Sequence, residues 1–140
     1  MIAVANHRQK LDRILAADSG ITRSEISGCM TLDSRKVGQG DIFVALPGAQ
    51  HDGRDYVQQA FVQGASLVLA EADGLSAFID PNADKRIVSM PNLSHLLPDL
   101  AKDFYGDPSR TMALVAVTGT NGKTSVVEFV GQLLRSLGCA

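Results

Sequence analysis

The sequence predicts an α/β protein: a small N-terminal α/β domain with a mixed sheet, followed by one strand–loop–helix unit. Three observations carry this. Two largely apolar runs, Ile42-Phe43-Val44-Ala45-Leu46 and Ser66-Leu67-Val68-Leu69-Ala70, flank a segment in which Tyr56, Val57, Ala60 and Phe61 share a helical face. A strand, a short helix and another strand, with no room for a hairpin, make a βαβ crossover. A third apolar run, Met112-Ala113-Leu114-Val115-Ala116-Val117, leads into Thr118-Gly119-Thr120-Asn121-Gly122-Lys123-Thr124 and then a helical-looking segment from Ser125 to Leu137. Finally, 140 residues with 45% hydrophobic and 20% charged content describe a globular chain of ordinary domain length.

The elements follow in order. Asn6 and Gln9 have capping-box spacing, and Leu11, Ile14 and Leu15 continue one helical face until Asp18-Ser19-Gly20. Cys29 to Asp33 alternates as a strand, ended by Ser34-Arg35-Lys36 and a turn over Val37-Gly38-Gln39-Gly40-Asp41. Pro47-Gly48 breaks the strand that follows, and Ala49 to Arg54 is a polar loop. Asp55 opens the crossover helix and Gly64 stops it. Glu71 to Asp84 is loop-rich, and Lys85 to Met90 is a fourth strand. Leu93, Leu96, Leu97, Leu100, Ala101 and Phe104 keep helical spacing around Pro98, which predicts a kink or a late helix start. Gly106-Asp107-Pro108-Ser109 is the predicted boundary, dividing 1–108 from 109–140.

Composition narrows the function. A net charge of −2 gives no basic footprint for nucleic acid. The N-terminal apolar stretch is too short for a signal peptide, and no run reaches membrane-spanning length, so a cytoplasmic protein is expected. Cys29 and Cys139 read as reduced thiols, and two cysteines alone make no metal site.

The glycine loop carries the chemistry. Strand, glycine loop and helix is the setting in which Gly-Lys-Thr binds phosphate. Gly119 and Gly122 let the backbone approach phosphate oxygens, and loop N–H groups at the helix start point at the anion. Lys123 reaches the β/γ-phosphates and the Thr124 hydroxyl holds Mg²⁺. The spacing is G-x-x-G-K-T: Val117 stands where the common pattern has its first glycine.

Further motifs add a resemblance. Thr31-Leu32-Asp33-Ser34-Arg35, Gly40-Asp41-Ile42-Phe43-Val44-Ala45-Leu46, Gly48 and Asp52-Gly53-Arg54 resemble the N-terminal domain of the Mur ligase family. Phe104-Tyr105-Gly106-Asp107-Pro108-Ser109, with Val117 to Thr124, is similar to its MurE type, and the shifted glycine is the form this family uses. The resemblance runs from about Thr31 to the end. It implies an ATP-dependent amide ligase of peptidoglycan precursor synthesis. ATP phosphorylates the terminal carboxylate of UDP-MurNAc-L-Ala-D-Glu, and the amine of meso-diaminopimelate or L-lysine attacks the acyl phosphate. It implies ATP and Mg²⁺ as cofactors, with Gly119, Thr120, Asn121, Gly122, Lys123, Thr124 and Ser125 as the ATP loop. Lys123 is its catalytic charge and Thr124 its metal ligand. Leu32, Ser34, Ala49, Gln50 and His51 match positions that hold the uridine-nucleotide end of the substrate. Ala49 and His51 differ from the residues many members carry, which favours backbone contacts in that loop.

Blander readings stand beside these. Ser34 also fits a turn cap, His51 an exposed loop histidine, and Asp52-Gly53 turn chemistry. Arg35 fits a surface charge or a partner of Asp33 or Asp41, and His7 and His95 fit the surface. The last helical segment carries Val126, Val127, Phe129, Val130, Leu133, Leu134 and Leu137, more apolar surface than one exposed face needs. The expectation is therefore an N-terminal part of a longer protein, inactive alone. The alternatives are a non-catalytic uridine-nucleotide-binding module, or another ligase with a similar ATP loop: the Mur ligase for the next step, folylpolyglutamate synthetase or cyanophycin synthetase.

Overall fold

Parallel pairing runs through the whole sheet. The computed structural model describes residues 12, 20, 22, 25–80, 82–110, 112 and 115–138. The helix expected over Asn6 to Leu15 lies outside the described residues, apart from Asp12. Four strands, β1 (Met30–Thr31), β2 (Ile42–Ala45), β3 (Leu67–Glu71) and β4 (Ile87–Met90), lie side by side in chain order. Every ladder among them is parallel. The α/β class is as expected, but the expected mixed sheet is not: the segments between strands all carry the chain back to the opposite end before the next strand begins. Among the described residues the one antiparallel pairing is an isolated bridge between Pro47 and Asp52, inside a loop.

A parallel sheet needs cover on both faces, and the apolar runs supply it. Ile42 and Val44 of β2 join Leu67 and Leu69 of β3 on one face, packed under Leu93 and Leu100. Phe43, Ala45, Val68 and Ala70 face the other way, against Val57, Ala60 and Leu75. Helix α1 (Val57–Gln63) therefore covers one face and helix α2 (Leu93–Tyr105) the other. The β2–α1–β3 crossover is the one the sequence predicts. Alanines at positions 45, 60, 65 and 70 meet on the α1 side, where short side chains let the helix lie close to the sheet.

Local chemistry sets the element ends. Gly64 ends α1 with φ 107°, the left-handed conformation that favours glycine. A short 3₁₀ turn, Gly53–Tyr56, precedes α1, so the expected helix start at Asp55 falls within that turn. Helix α2 starts at Leu93 with Pro98 inside it, so the start is not delayed. Its free N–H groups are met from a distance. The Glu71 carboxylate, at the end of β3, accepts from Asn92 N at 2.9 Å and Leu93 N at 2.8 Å. One buried side chain thus joins the end of β3 to the helix that follows β4.

The chain divides into two compact units, Met1–Asp107 and Pro108–Ala140. In the second, helix α3 (Lys123–Ser136) forms as the spacing predicts. The strand expected over Met112 to Val117 does not: Val115, Ala116 and Val117 carry no strand pairing, and 113–114 lie outside the described residues. A strand exists only through its ladder, and among the described residues this run has no strand beside it. Instead, Val115 and Val117 line a small apolar groove with Val127, Val130, Gly131 and Leu134.

Glu71→Ala is expected to lower the stability of the chain by about 1–3 kcal/mol, because it strands two helix N–H groups beside a buried gap. Urea unfolding at neutral pH reads this directly. A change under about 0.3 kcal/mol would mean that water replaces the cap without loss.

Candidate functional site

Two segments leave the carboxyl ends of neighbouring strands β1 and β2 and enclose an open cleft of about 820 Å³. Crevices beyond strand carboxyl ends are where open α/β sheets bind ligands. The first segment contributes Leu32, Ser34 and Arg35, and the second Pro47, Gly48 and His51, with Tyr56 and Gln59 completing the wall. Leu32 is 58% exposed although apolar, which leaves a hydrophobic surface at the mouth.

The first segment is shaped by Asp33. It caps the 3₁₀ turn Ser34–Lys36, accepting from Arg35 N at 3.1 Å. The same carboxylate takes Arg35 Nε at 2.9 Å and Nη2 at 2.9 Å. These guanidinium bonds, followed by the backbone N–H, hold the Asp33 carboxyl down to about 2. Of the two partners the sequence left open for Arg35, the structure selects Asp33. Asp41 instead accepts from Cys29 N at 2.5 Å and Gly38 N at 2.7 Å, tying the entry of β1 to the turn before β2.

The second segment is a tight excursion. Gly48 N donates to His51 O at 3.1 Å, and Gly53 N donates to Leu46 O at 2.9 Å. Gly53 must be glycine: a Cβ there would lie 2.8 Å from the Leu46 carbonyl oxygen. Asp52 repeats the Asp33 pattern, accepting from Arg54 N and Nε at 2.9 Å and from Nη2 at 2.6 Å. Arg54 is 8% exposed, donates also to Asp73 O, and lies 4.3 Å from the centre of the Phe78 ring. Asp52-Gly53 is thus more than a turn. It anchors a buried arginine that fastens the cleft loop to the segment after β3. The guanidinium, ahead of the backbone N–H, also holds the Asp52 carboxyl below its usual range.

The structure brings Leu32, Ser34 and His51 to one cleft. It does not bring Ala49 and Gln50 there: both are exposed at the loop tip and neither lines the wall. The excursion closes between Gly48 and His51, which leaves its two middle residues outermost. From the sequence, Arg35 reads only as a surface charge or a structural partner and Tyr56 only as part of a helical face, and Gln59 carries no signal. The recurring Asp-x-Arg spacing at positions 33, 52 and 84 was the available signal for the first.

In the second unit, the loop before α3 turns on two glycines, Gly119 at φ 145° and Gly122 at φ 76°. Gly122 is the N-cap of α3, and no side chain caps the first turn. Lys123 Nζ closes back over the loop, donating to Gly119 O and, at 3.3 Å, to Thr120 O. Residues Gly119 to Ser125 are all exposed. Two glycine turns, a helix start without a side-chain cap and an ammonium beside them are features that suit a phosphate chain. For Mg²⁺ the loop offers the Thr124 hydroxyl. Among the described residues no group of three or more His, Cys, Asp or Glu side chains could hold a metal ion.

Fold and site define a class: a parallel α/β unit with an open cleft at its strand ends, followed in the chain by a glycine–lysine loop on a helix. Comparison with known proteins gives the family. The description "Mur ligase family, catalytic domain" matches residues 27–105, and the chain belongs to the Mur ligase family. Curated relatives named UDP-N-acetylmuramoyl-L-alanyl-D-glutamate–2,6-diaminopimelate ligase include one from Pseudomonas syringae pv. tomato, 48% identical over 78% of this chain and 22% of its own length. The relative of that name from Coxiella burnetii is 38% identical over 88% of this chain and 25% of its own. The chain thus spans about a quarter of the length of these relatives. A crystal structure of MurF ligase from Thermotoga maritima in complex with ADP matches with a TM-score of 0.60 and 27% identity, over 82% of this chain and 25% of that one. No helix among the described residues is long and apolar enough to cross a membrane.

Asp52→Asn is expected to cost about 1–3 kcal/mol at pH 7, since it leaves the buried Arg54 short of its counter-charge. The folded carboxyl titrates below its unfolded value near 4, so its contribution is full above that value and is lost as pH falls through the folded one. Wild type and variant should therefore converge in urea unfolding as pH drops from 7 towards 3. A constant gap across that range would show that the charge is not what the variant removes.

Proposed function

We propose that this chain carries the substrate-nucleotide domain (1–108) and the start of the ATP-binding domain (109–140) of an ATP-dependent amide ligase. That ligase joins 2,6-diaminopimelate to UDP-MurNAc-L-Ala-D-Glu in peptidoglycan precursor synthesis. The carrying observation is the cleft in which Leu32, Ser34 and His51 converge beyond two parallel strands, in a chain of this family. The names of the curated relatives support diaminopimelate rather than lysine. A cytoplasmic setting belongs to the same reading, because the reaction consumes ATP.

Each residue has a task its surroundings permit. Ser34 presents a hydroxyl at the start of the 3₁₀ turn, where it donates to a uracil or phosphate oxygen. Leu32 offers an apolar surface to the base, and His51 closes the opposite wall. Ala49 and Gln50, at the loop tip, meet the substrate through the backbone as the loop settles on it. In the second unit, the N–H groups of the loop and of Lys123, Thr124 and Ser125 surround the phosphates of ATP. When bound there, ATP would supply the phosphoryl group that activates the substrate carboxylate, and Thr124 would be the loop's ligand to a charge-offsetting Mg²⁺. The Lys123 ammonium exchanges the Gly119 and Thr120 carbonyls for phosphate oxygens and stays in place while negative charge migrates.

Two measurements test this. Calorimetry on the 140-residue chain should show UDP binding, weakened in Ser34→Ala by about 0.5–1.5 kcal/mol, or up to about 3 if the lost partner is a phosphate. Unchanged affinity would reduce Ser34 to a turn cap. In a ligase carrying this segment, Lys123→Ala should lower the rate by about 10²–10³, the usual scale for a preorganised charge. Lys123→Arg should not rescue it, because a planar fork does not replace a compact ammonium. Rates within a few-fold of wild type for both variants would remove Lys123 from the site.

A further inference from the structure

We infer that Arg35 is the fixed positive contact for the diphosphate of a nucleoside-diphosphate ligand in the first-unit cleft, and that Asp33 holds its guanidinium in position for it. This rests on the proposed uridine-nucleotide reading of the cleft and adds a residue and a role to it.

The argument is a comparison of three copies of one local device. Asp33-Ser34-Arg35, Asp52-Gly53-Arg54 and Asp84-Lys85-Arg86 each form the same hook. The aspartate accepts from the backbone N–H two residues on, and its carboxylate takes the Nε and Nη2 of that residue's guanidinium. In two copies the guanidinium also rests on an aromatic ring, buried at Arg54 and with a 45% exposed side chain at Arg86. Arg54 is buried, bonded to Asp73 O and stacked on Phe78. Arg86 lies 4.2 Å from the centre of the Phe61 ring. The third arginine has the same fork and no such employment. Arg35 has an 83% exposed side chain, sits over no ring among the described residues, and lines the cleft beside Ser34.

The donor inventory says what it is free to do. A guanidinium has five N–H donors. Asp33 takes the Nε–H and one on Nη2, so three remain, all on the two terminal nitrogens. Both Asp33 oxygens are already engaged, so the carboxylate presents little bare negative charge to an incoming anion. The terminal edge of a guanidinium matches two oxygens of a phosphate, and a fork already held by a partner loses less freedom on binding than a swinging one. A solvated surface ion pair would be worth little to stability at this exposure. The place where this hook can matter is the ligand.

The test is calorimetry on the full 140-residue chain with UDP and with uridine, which differ only in the diphosphate. Wild type should bind UDP more tightly than uridine. Arg35→Gln should weaken UDP by at least about tenfold, as expected for a hydrogen bond to a charged group, and leave uridine within about twofold. Asp33→Asn should weaken UDP by a smaller factor, again sparing uridine, and Arg35→Lys should restore only part of the affinity. Circular dichroism melts check that each variant folds, which the exposure of Arg35 favours. UDP affinity unchanged in Arg35→Gln, or equal losses for UDP and uridine, would overturn the inference while the cleft reading stands. Full recovery by Arg35→Lys would overturn the role of the fork. Wild type binding neither ligand would overturn the cleft reading, and this inference with it.

Discussion

The ladder between β2 and β3 is buried on both faces, and much of the first unit is arranged to keep it so. Ile42 to Ala45 and Leu67 to Ala70 are at most 1% exposed. With water excluded from both sides, every polar backbone group in these strands must be met within the sheet. Parallel pairing then requires the chain to return to the far end between strands. The returning segments bring α1 to one face, α2 follows β4 on the other, and the irregular segments gather at the strand ends. The cleft is a consequence of this: the chain leaves β1 and β2 at adjacent points, so two loops emerge together over one opening.

Carboxylates do much of the fastening at those ends. Asp33, Asp41, Asp52, Glu71 and Asp84 each accept from a backbone N–H that has no partner in a helix or ladder. Ionised acceptors make stronger bonds than neutral ones. A loop held this way is irregular without being loose. That matters for the walls of a cleft, where a mobile loop would lose its own freedom before it could hold a ligand.

The second unit works by a different principle. Its loop is exposed and held by its own lysine rather than by a buried carboxylate. The Lys123 ammonium rests on two backbone carbonyls, a neutral pair of acceptors that phosphate oxygens can outcompete. Glycines at 119 and 122 allow the backbone its positive φ angles, and no side chain caps the first turn of α3. Stability and availability are traded at this point: the helix start goes without the side-chain cap that would secure it.

The sequence by itself determined the four strands of the sheet, the crossover, both covering helices and the glycine loop before α3. These are local matters of side-chain period, glycine placement and helix-stopping residues, and Gly64, Gly122 and the runs at 42–46 and 66–70 carry them openly. It also placed Leu32, Ser34 and His51 among the candidate residues. Only the tertiary structure decided the rest. The sheet is parallel rather than mixed because strand direction depends on where the connections run. The run at 115–117 is no strand because a ladder needs a neighbour. Ala49 and Gln50 stand outside the cleft because Gly48 and His51 close beneath them. The cap on α2 comes from Glu71, more than twenty residues earlier, a distance no local pattern spans. The three Asp-x-Arg hooks look alike in the sequence. What separates the arginine left at the cleft from the buried Arg54 and the ring-stacked, part-exposed Arg86 is only what lies beside each after folding.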